Sequence, residues 1–96
     1  MPLDKLIQDH HKDILSLAYK HGAVRISVFG SRARGDARAD SDVDLLVAAG
    51  PHHSPFFPGG LLMDLQDLLG CSVNMTETEA LNNAIRDQIM KEAVAL

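Results

Sequence analysis

Two short segments of alternating apolar residues restrict the fold of this chain more than any other feature. Residues 24–29 and 42–47 carry apolar, often β-branched side chains at every second position, the pattern of strands with one buried face. The chain has 96 residues, which is enough for one compact core. Segments with apolar residues at helical spacing precede and follow these strands and can cover the apolar face of the sheet. We therefore predict a small mixed β-sheet with flanking helices.

Apolar residues at helical spacing predict the helices that cover this sheet. A first amphipathic helix is expected over roughly residues 3–20, and leucines mark a second helix over 61–69. Gly22 and Gly70 follow these two segments, and each is placed to end its helix.

The rest of the chain adds a third strand and a C-terminal helix. Residues 71–76 alternate, which puts Cys71 on the apolar side of the predicted strand. Thr76 or Thr78 is expected to cap the helix that follows. The apolar stripe of that helix consists of Leu81, Ile85, Ile89 and Ala93. The predicted class is α/β (α+β) with the order α-β-β-α-β-α, in a single domain over residues 1–96.

Composition and charge narrow the possible functions. The formal net charge of −4 argues against nucleic acid as a direct ligand. Cys71 is the single cysteine, so no internal disulfide can form, which suits a reducing cytoplasm. The N-terminus lacks a signal-peptide pattern, and no apolar run approaches the roughly 20 residues of a membrane span. We expect a cytoplasmic protein without membrane contact, whose small core would gain from a homo-oligomeric or hetero-oligomeric partner.

Asp42 and Asp44 are the first candidates for chemistry. They lie two residues apart in a predicted strand, so their side chains point to the same face. Two carboxylates held this close repel each other unless a cation lies between them. Mg²⁺ commonly takes one or two protein carboxylates and completes its shell with water and phosphate oxygens. The pair therefore predicts a magnesium site.

Gly30 and Ser31 form a turn at the end of the preceding predicted strand. Glycine allows a ligand to approach the backbone closely, and Ser31 adds a hydroxyl donor. A turn that leads into a helical start exposes backbone N–H groups that attract phosphate. We predict that this phosphate cradle and the aspartate pair meet at one edge of two adjacent strands.

Gly30-Ser31, ten further residues and then Asp42-Val43-Asp44 match the signature of the polymerase-β-like nucleotidyltransferase superfamily. The fuller run over residues 29–47 resembles the minimal nucleotidyltransferase (MNT) branch, and the later elements follow in that branch's order. The resemblance implies that Gly30 and Ser31 hold the β- and γ-phosphates of a nucleoside triphosphate, usually ATP. It also implies that Asp42 and Asp44 are the catalytic residues that bind divalent metal.

Asn74 departs from the family pattern. The resemblance implies a third carboxylate on the next core strand, and the matching position here holds an amide. An amide cannot act as a base and carries no charge, although its carbonyl oxygen can still bind a metal ion. We expect weaker metal binding and slower chemistry than in a site with three carboxylates.

Arg32 and Arg34 give the segment after Ser31 a local positive charge. They are candidate nucleotide-binding residues, because guanidinium groups pair well with phosphate. The alternative is a solvated loop whose arginines pair with Asp36 and Asp40. The sequence leaves both interpretations open.

The resemblance to the MNT branch implies a function as well as a fold. Such domains are similar to antitoxins that transfer AMP from ATP to a tyrosine hydroxyl of a helical HEPN-type toxin. A second hypothesis is a catalytically degenerate domain that neutralises its toxin by binding alone, and Asn74 supports it. A transferase for a small molecule is a third, weaker alternative, because such family members usually carry an added acceptor-binding domain.

Overall fold

The computed structural model describes residues 4–96, which form a four-stranded mixed sheet with helices packed against it. In chain order the elements are α1 (Lys5–Asp9), α2 (His11–Lys20), β1 (Ala23–Phe29), α3 (Ser31–Arg34), β2 (Val43–Ala49), α4 (Gly59–Leu69), β3 (Val73–Glu77), a 3₁₀ turn (Thr78–Ala80), α5 (Asn83–Glu92) and β4 (Val94–Ala95). None of the helices within residues 4–96 is long and apolar enough to cross a bilayer.

The strand order in the sheet is β3-β2-β1-β4. β1 runs antiparallel to both of its neighbours, and β2 runs parallel to β3. This arrangement confirms the predicted small mixed sheet with flanking helices. β4 is an addition, because a two-residue strand is too short to show an alternating pattern.

One apolar core lies between the sheet and the helices α1, α2 and α4. Its fully buried large side chains are Ile7, Ile14, Val28, Val43, Leu45, Val47, Leu61 and Leu65. Burial of one such side chain contributes about 1.5–3 kcal/mol relative to exposure. This burial stabilises the two central strands and the three helices, and it fixes the positions of the residues at the ends of these strands.

The predicted helix over 3–20 is two helices that meet at His10. Its φ of −110° and ψ of 12° interrupt the helical ladder between α1 and α2. The Asp4 carboxylate caps α1 by accepting a hydrogen bond from the Leu6 N–H at 3.1 Å. Leu3, with which the predicted helix begins, lies outside the described residues. Gly22 and Gly70 both follow helix ends with positive φ, as predicted.

Val24 differs from its predicted position. Simple alternation puts it on the same buried face as Ile26 and Val28, yet its side chain is exposed. The pairing of β1 with β2 shifts register between Ala23 and Arg25, which is the signature of a β-bulge. The extra residue resets the alternation, so only the part of β1 beyond the bulge follows the predicted phase.

The C-terminal third of the chain differs most from prediction. β3 begins at Val73, and Cys71 is a half-buried residue just before it rather than a strand residue. Asn82 caps α5, because its side chain accepts a hydrogen bond from the Ile85 N–H at 3.0 Å; the predicted threonine caps are wrong. No residue of α5, all of which is described, is buried. The apolar stripe predicted for this helix therefore stays partly open to solvent.

Candidate functional site

Gly30 and Asp44 are in direct contact at the junction of β1 and β2. The antiparallel register places Phe29, the last residue of β1, opposite Asp44. Gly30 follows with a φ of 74°, and a Cβ atom there would overlap the Asp44 carboxylate. Only glycine permits both this backbone conformation and this approach. The turn and the second aspartate of the predicted site thus form one structure.

The side chain of Asn74 bridges the carboxylates of Asp42 and Asp44. The parallel register of β2 and β3 pairs Asp44 with Asn74. The Asn74 side-chain amide donates hydrogen bonds to Asp44 Oδ1 at 3.1 Å and to Asp42 Oδ2 at 3.3 Å. Asp42 itself is exposed and lies just before β2 begins. The structure therefore brings all three predicted side chains together.

The donor set of this cluster suits a hard divalent cation. Asp42 and Asp44 present oxygen atoms to the same amide nitrogen, so both carboxylates are oriented toward a shared position that is attractive to a positive group. Asn74 could add its carbonyl oxygen if its amide turned over. Within residues 4–96, no group of three or more His, Cys, Asp or Glu side chains is arranged to hold a metal ion. The two carboxylates and the amide are a set that fits Mg²⁺ with most of its shell left to water or phosphate.

Glu92, from the end of α5, is placed at the Gly30 turn. Its Oε1 accepts a hydrogen bond from the Gly30 N–H at 3.0 Å. Its Oε2 accepts from Arg34 Nη1 at 3.4 Å. A carboxylate therefore occupies the position predicted for phosphate. Glu92 was not among the predicted site residues, although an acidic residue in the last turn of a helix, where the dipole disfavours it, was a possible signal.

Arg34 is half-exposed beside the turn and makes two ion pairs. Its Nε donates to Asp36 Oδ2 at 3.2 Å, and its Nη1 reaches Glu92. The hydrogen bond with Asp36 is the main reason why the pKa of the Arg34 guanidinium is raised, and the charge of Asp36 and the contact with Glu92 add to it. Arg34 is thus a cation next to the phosphate position, while its pairing with Asp36 agrees with the solvated-loop interpretation.

Arg32 is buried, and both of its terminal nitrogens are hydrogen-bonded inside the protein, whereas its Nε finds no hydrogen-bond partner among the described residues. Its side chain is 4% exposed, and its Nη1 donates to Asp4 Oδ2 at 3.1 Å. Its Nη2 donates to the Ser41 carbonyl oxygen at 2.6 Å and to that of Ala39 at 3.4 Å. The side chain ties the N-terminal region to the loop that leads into Asp42. The predicted nucleotide contact needs an exposed guanidinium, and the structure instead gives Arg32 a supporting position.

The chain is similar to known proteins over nearly its whole length. Residues 12–96 match the family described as polymerase beta, nucleotidyltransferase. Protein adenylyltransferase MntA of Thermococcus cleftensis is 33% identical over 92 residues, which cover 96% of this chain and 90% of that protein.

Solved structures share the fold. A structure assigned as a minimal nucleotidyltransferase has a TM-score of 0.85 and 40% identity, and the match covers 98% of this chain and 97% of the other. The complex of tri-AMPylated Shewanella oneidensis HEPN toxin with MNT antitoxin gives a TM-score of 0.68 at 18% identity, over 92% of this chain and 69% of the other. From its matches in sequence and structure, the protein belongs to the polymerase β nucleotidyltransferase family, in agreement with its resemblance to the MNT branch.

Proposed function

We propose that this protein is a protein adenylyltransferase that transfers AMP from ATP to a hydroxyl group of a partner protein. The observation that carries the proposal is the contact between Gly30 and Asp44, which joins the predicted phosphate turn to the predicted metal ligands. The proposed acceptor is a tyrosine of a HEPN-type toxin, whose modification would silence it. The protein would then act as an antitoxin.

Each residue of the site has a proposed role. Asp42 and Asp44 would hold Mg²⁺, with Asn74 as an oxygen donor. When bound, the ion would neutralise charge on the triphosphate and orient it for attack. The Gly30 N–H and the Ser31 hydroxyl would bind the β- and γ-phosphates, and Arg34 would add a positive charge beside them.

The reaction is a substitution at the α-phosphorus of ATP. The acceptor oxygen forms a bond to this phosphorus, the bond from the α-phosphorus to the oxygen bridging it to the β-phosphate breaks, and pyrophosphate leaves. The acceptor hydroxyl gives up its proton in this step. Asn74 cannot accept that proton, and we assign this role to a carboxylate of the site or to water. The site therefore contributes mainly by positioning and charge.

The relatives support the type of acceptor. MntA of Thermococcus cleftensis is named a protein adenylyltransferase, and the Shewanella oneidensis structure holds an AMPylated HEPN toxin with an MNT antitoxin. This chain also exposes large apolar side chains on α5 and around β4, namely Ile85, Met90 and Val94. Exposed apolar surface of this kind suits contact with another protein.

A second candidate function is neutralisation of the partner by binding alone. Two observations favour it: an amide replaces the third carboxylate at Asn74, and Glu92 occupies the turn proposed for phosphate. Under this hypothesis the aspartates contribute to the shape of the binding surface and do not catalyse a reaction.

The test is to incubate the purified protein with Mg²⁺, α-labelled ATP and a helical HEPN-type toxin protein from the same organism. We expect label on the partner and a mass increase equal to AMP. A variant with both Asp42→Asn and Asp44→Asn should transfer nothing, whereas Asp40→Asn, which changes an exposed acid just before the pair, should transfer normally. A stable inhibitory complex without label would favour binding alone. Absence of both label and complex would overturn both functions.

A further inference from the structure

The phosphate turn contains an internal anion. Oε1 of Glu92 accepts a hydrogen bond from the Gly30 N–H, and Oε2 lies 3.4 Å from Arg34 Nη1. A backbone N–H and a guanidinium are the groups that commonly bind a phosphate oxygen. The Glu92 carboxylate therefore uses the same two donors that the proposed function assigns to the triphosphate.

The position of Glu92 runs against the local preference of its own helix. It is the last residue of α5, where the negative end of the helix dipole disfavours a carboxylate. The preceding residue, Lys91, has the charge that this end favours. The position of Glu92 therefore reflects its tertiary contacts with Gly30 and Arg34.

The residues that follow Glu92 hold it against the turn. We name residues 92–96 the C-terminal strap. In the strap, Val94 and Ala95 pair with β1, the strand that leads directly into Gly30. The Leu96 N–H donates to the Ile26 carbonyl oxygen at 3.0 Å. His11 Nε2 lies 2.9 Å from the Leu96 backbone oxygen. These contacts place Glu92 beside the Gly30 turn, at the end of β1.

The strap is attached weakly compared with the rest of the sheet. Both residues of β4 are exposed and α5, described in full, has no buried residue, so Leu96 is the residue by which the strap packs against the core. Elements with little buried apolar surface open at low free-energy cost. The strap can therefore leave β1 while the core strands stay intact.

We propose that Glu92 occupies the Gly30 cradle in the nucleotide-free protein and that a nucleoside triphosphate binds by displacing it together with the strap. This inference rests on the proposed function. Glu92 contacts the Gly30 N–H and the Arg34 guanidinium, the two groups proposed for phosphate, so it acts as a competing anion at the cradle. Displacement frees Arg34 for the phosphates, and the apparent affinity for nucleotide is lowered by the fraction of molecules whose cradle is filled.

The first test measures the dissociation constant of MgATP by calorimetry. Glu92→Ala removes the competing carboxylate and should lower this constant about five- to tenfold. Glu92→Gln keeps an acceptor for the Gly30 N–H but loses the charge, so its effect should be intermediate. Asp87→Asn removes an exposed acid from the same helix and should change the constant less than twofold. Thermal unfolding of each variant checks that the fold is retained.

The second test follows backbone hydrogen exchange over residues 94–96. MgATP should speed this exchange in the unaltered protein, and Glu92→Ala should show fast exchange without nucleotide. Equal MgATP affinity of the unaltered protein and Glu92→Ala would overturn the inference while leaving the proposed function intact. Tighter MgATP binding by Glu92→Ala without faster exchange of residues 94–96 would also overturn the inference, because the strap would then stay in place. An equal gain in MgATP affinity for Asp87→Asn would overturn it too, because the gain would then come from the loss of any negative charge. Failure of every variant to bind MgATP would overturn the proposed function as well.

Discussion

The side-chain amide of Asn74 donates a hydrogen bond to Asp44 Oδ1 at 3.1 Å, across the parallel pairing of β3 with β2. The same nitrogen lies 3.3 Å from Asp42 Oδ2. A partial positive charge therefore sits between two carboxylates that would otherwise repel each other. The amide therefore relieves part of the repulsion between the two carboxylates.

Asn74→Asp should make the stability of the protein depend on divalent metal. The new carboxylate removes the donor and adds a like charge, so the free energy of unfolding without metal should fall by about 1 kcal/mol, or about 4–8 °C in Tm for a domain this small. Excess Mg²⁺ should restore the Tm and raise the rate of AMP transfer. Thermal unfolding with EDTA and with Mg²⁺ measures this, and Ser72→Asp, at an exposed position nearby, is the control. Equal Tm values in the two buffers would contradict the explanation.

Asp44→Asn should reduce AMP transfer by about 100-fold or more, because it removes one of the two charges that would hold the metal ion. The fold should persist, since an amide oxygen can still accept the hydrogen bond from Asn74. Transfer of label and circular dichroism measure the two effects. Asp40→Asn should retain transfer, because Asp40 is an exposed acid outside the cluster. Retained transfer in Asp44→Asn would exclude Asp44 from the site.

Gly30→Ala should damage the site more than the fold. The positive φ strains any other residue there, and the new Cβ would push the Asp44 carboxylate out of place. We expect a loss of about 1–3 kcal/mol of stability and a larger fractional loss of transfer. Gly59→Ala is the matched control, since a Cβ there would meet no atom within 4 Å. Urea unfolding and the transfer assay check both variants, and equal effects in the two would contradict the steric argument.

Arg32 and Arg34 should respond to substitution in opposite ways. Arg32→Lys cannot reproduce the buried contacts with Asp4 and Ser41, so unfolding should become easier by about 2 kcal/mol, with little change in MgATP affinity. Arg34→Ala should change stability by less than about 0.5 kcal/mol, because its ion pairs are half-exposed.

The same Arg34→Ala variant should weaken MgATP binding about threefold or more, because it removes a cation beside the phosphates. Urea unfolding and calorimetry on both variants separate the two roles. A loss of MgATP affinity in a folded Arg32→Lys protein would restore the nucleotide contact that the sequence alone predicts for Arg32.

Local patterns in the sequence predict the first three strands and the main helices in their order. The alternation in β1 and β2, the leucine spacing of α4 and the glycines at 22 and 70 are local patterns, and each reports the conformation of its own segment. The proximity of Gly30 and Asp44 could also be predicted, because Gly30 follows the last residue of β1 and Asp44 lies near the start of the adjacent strand β2.

Contacts between residues far apart in the chain depend on the tertiary structure. Glu92 and Gly30 are separated by 62 residues, and no local pattern encodes their contact. The burial of Arg32 depends on Asp4 and on the loop at 39–41, and the bulge near Val24 depends on the register with β2. Such contacts follow from the packing of whole elements, whereas periodicity reports only which face of one element is apolar. The sequence therefore predicted the aspartates, the turn and Asn74, and the fold added the carboxylate of Glu92 in the turn.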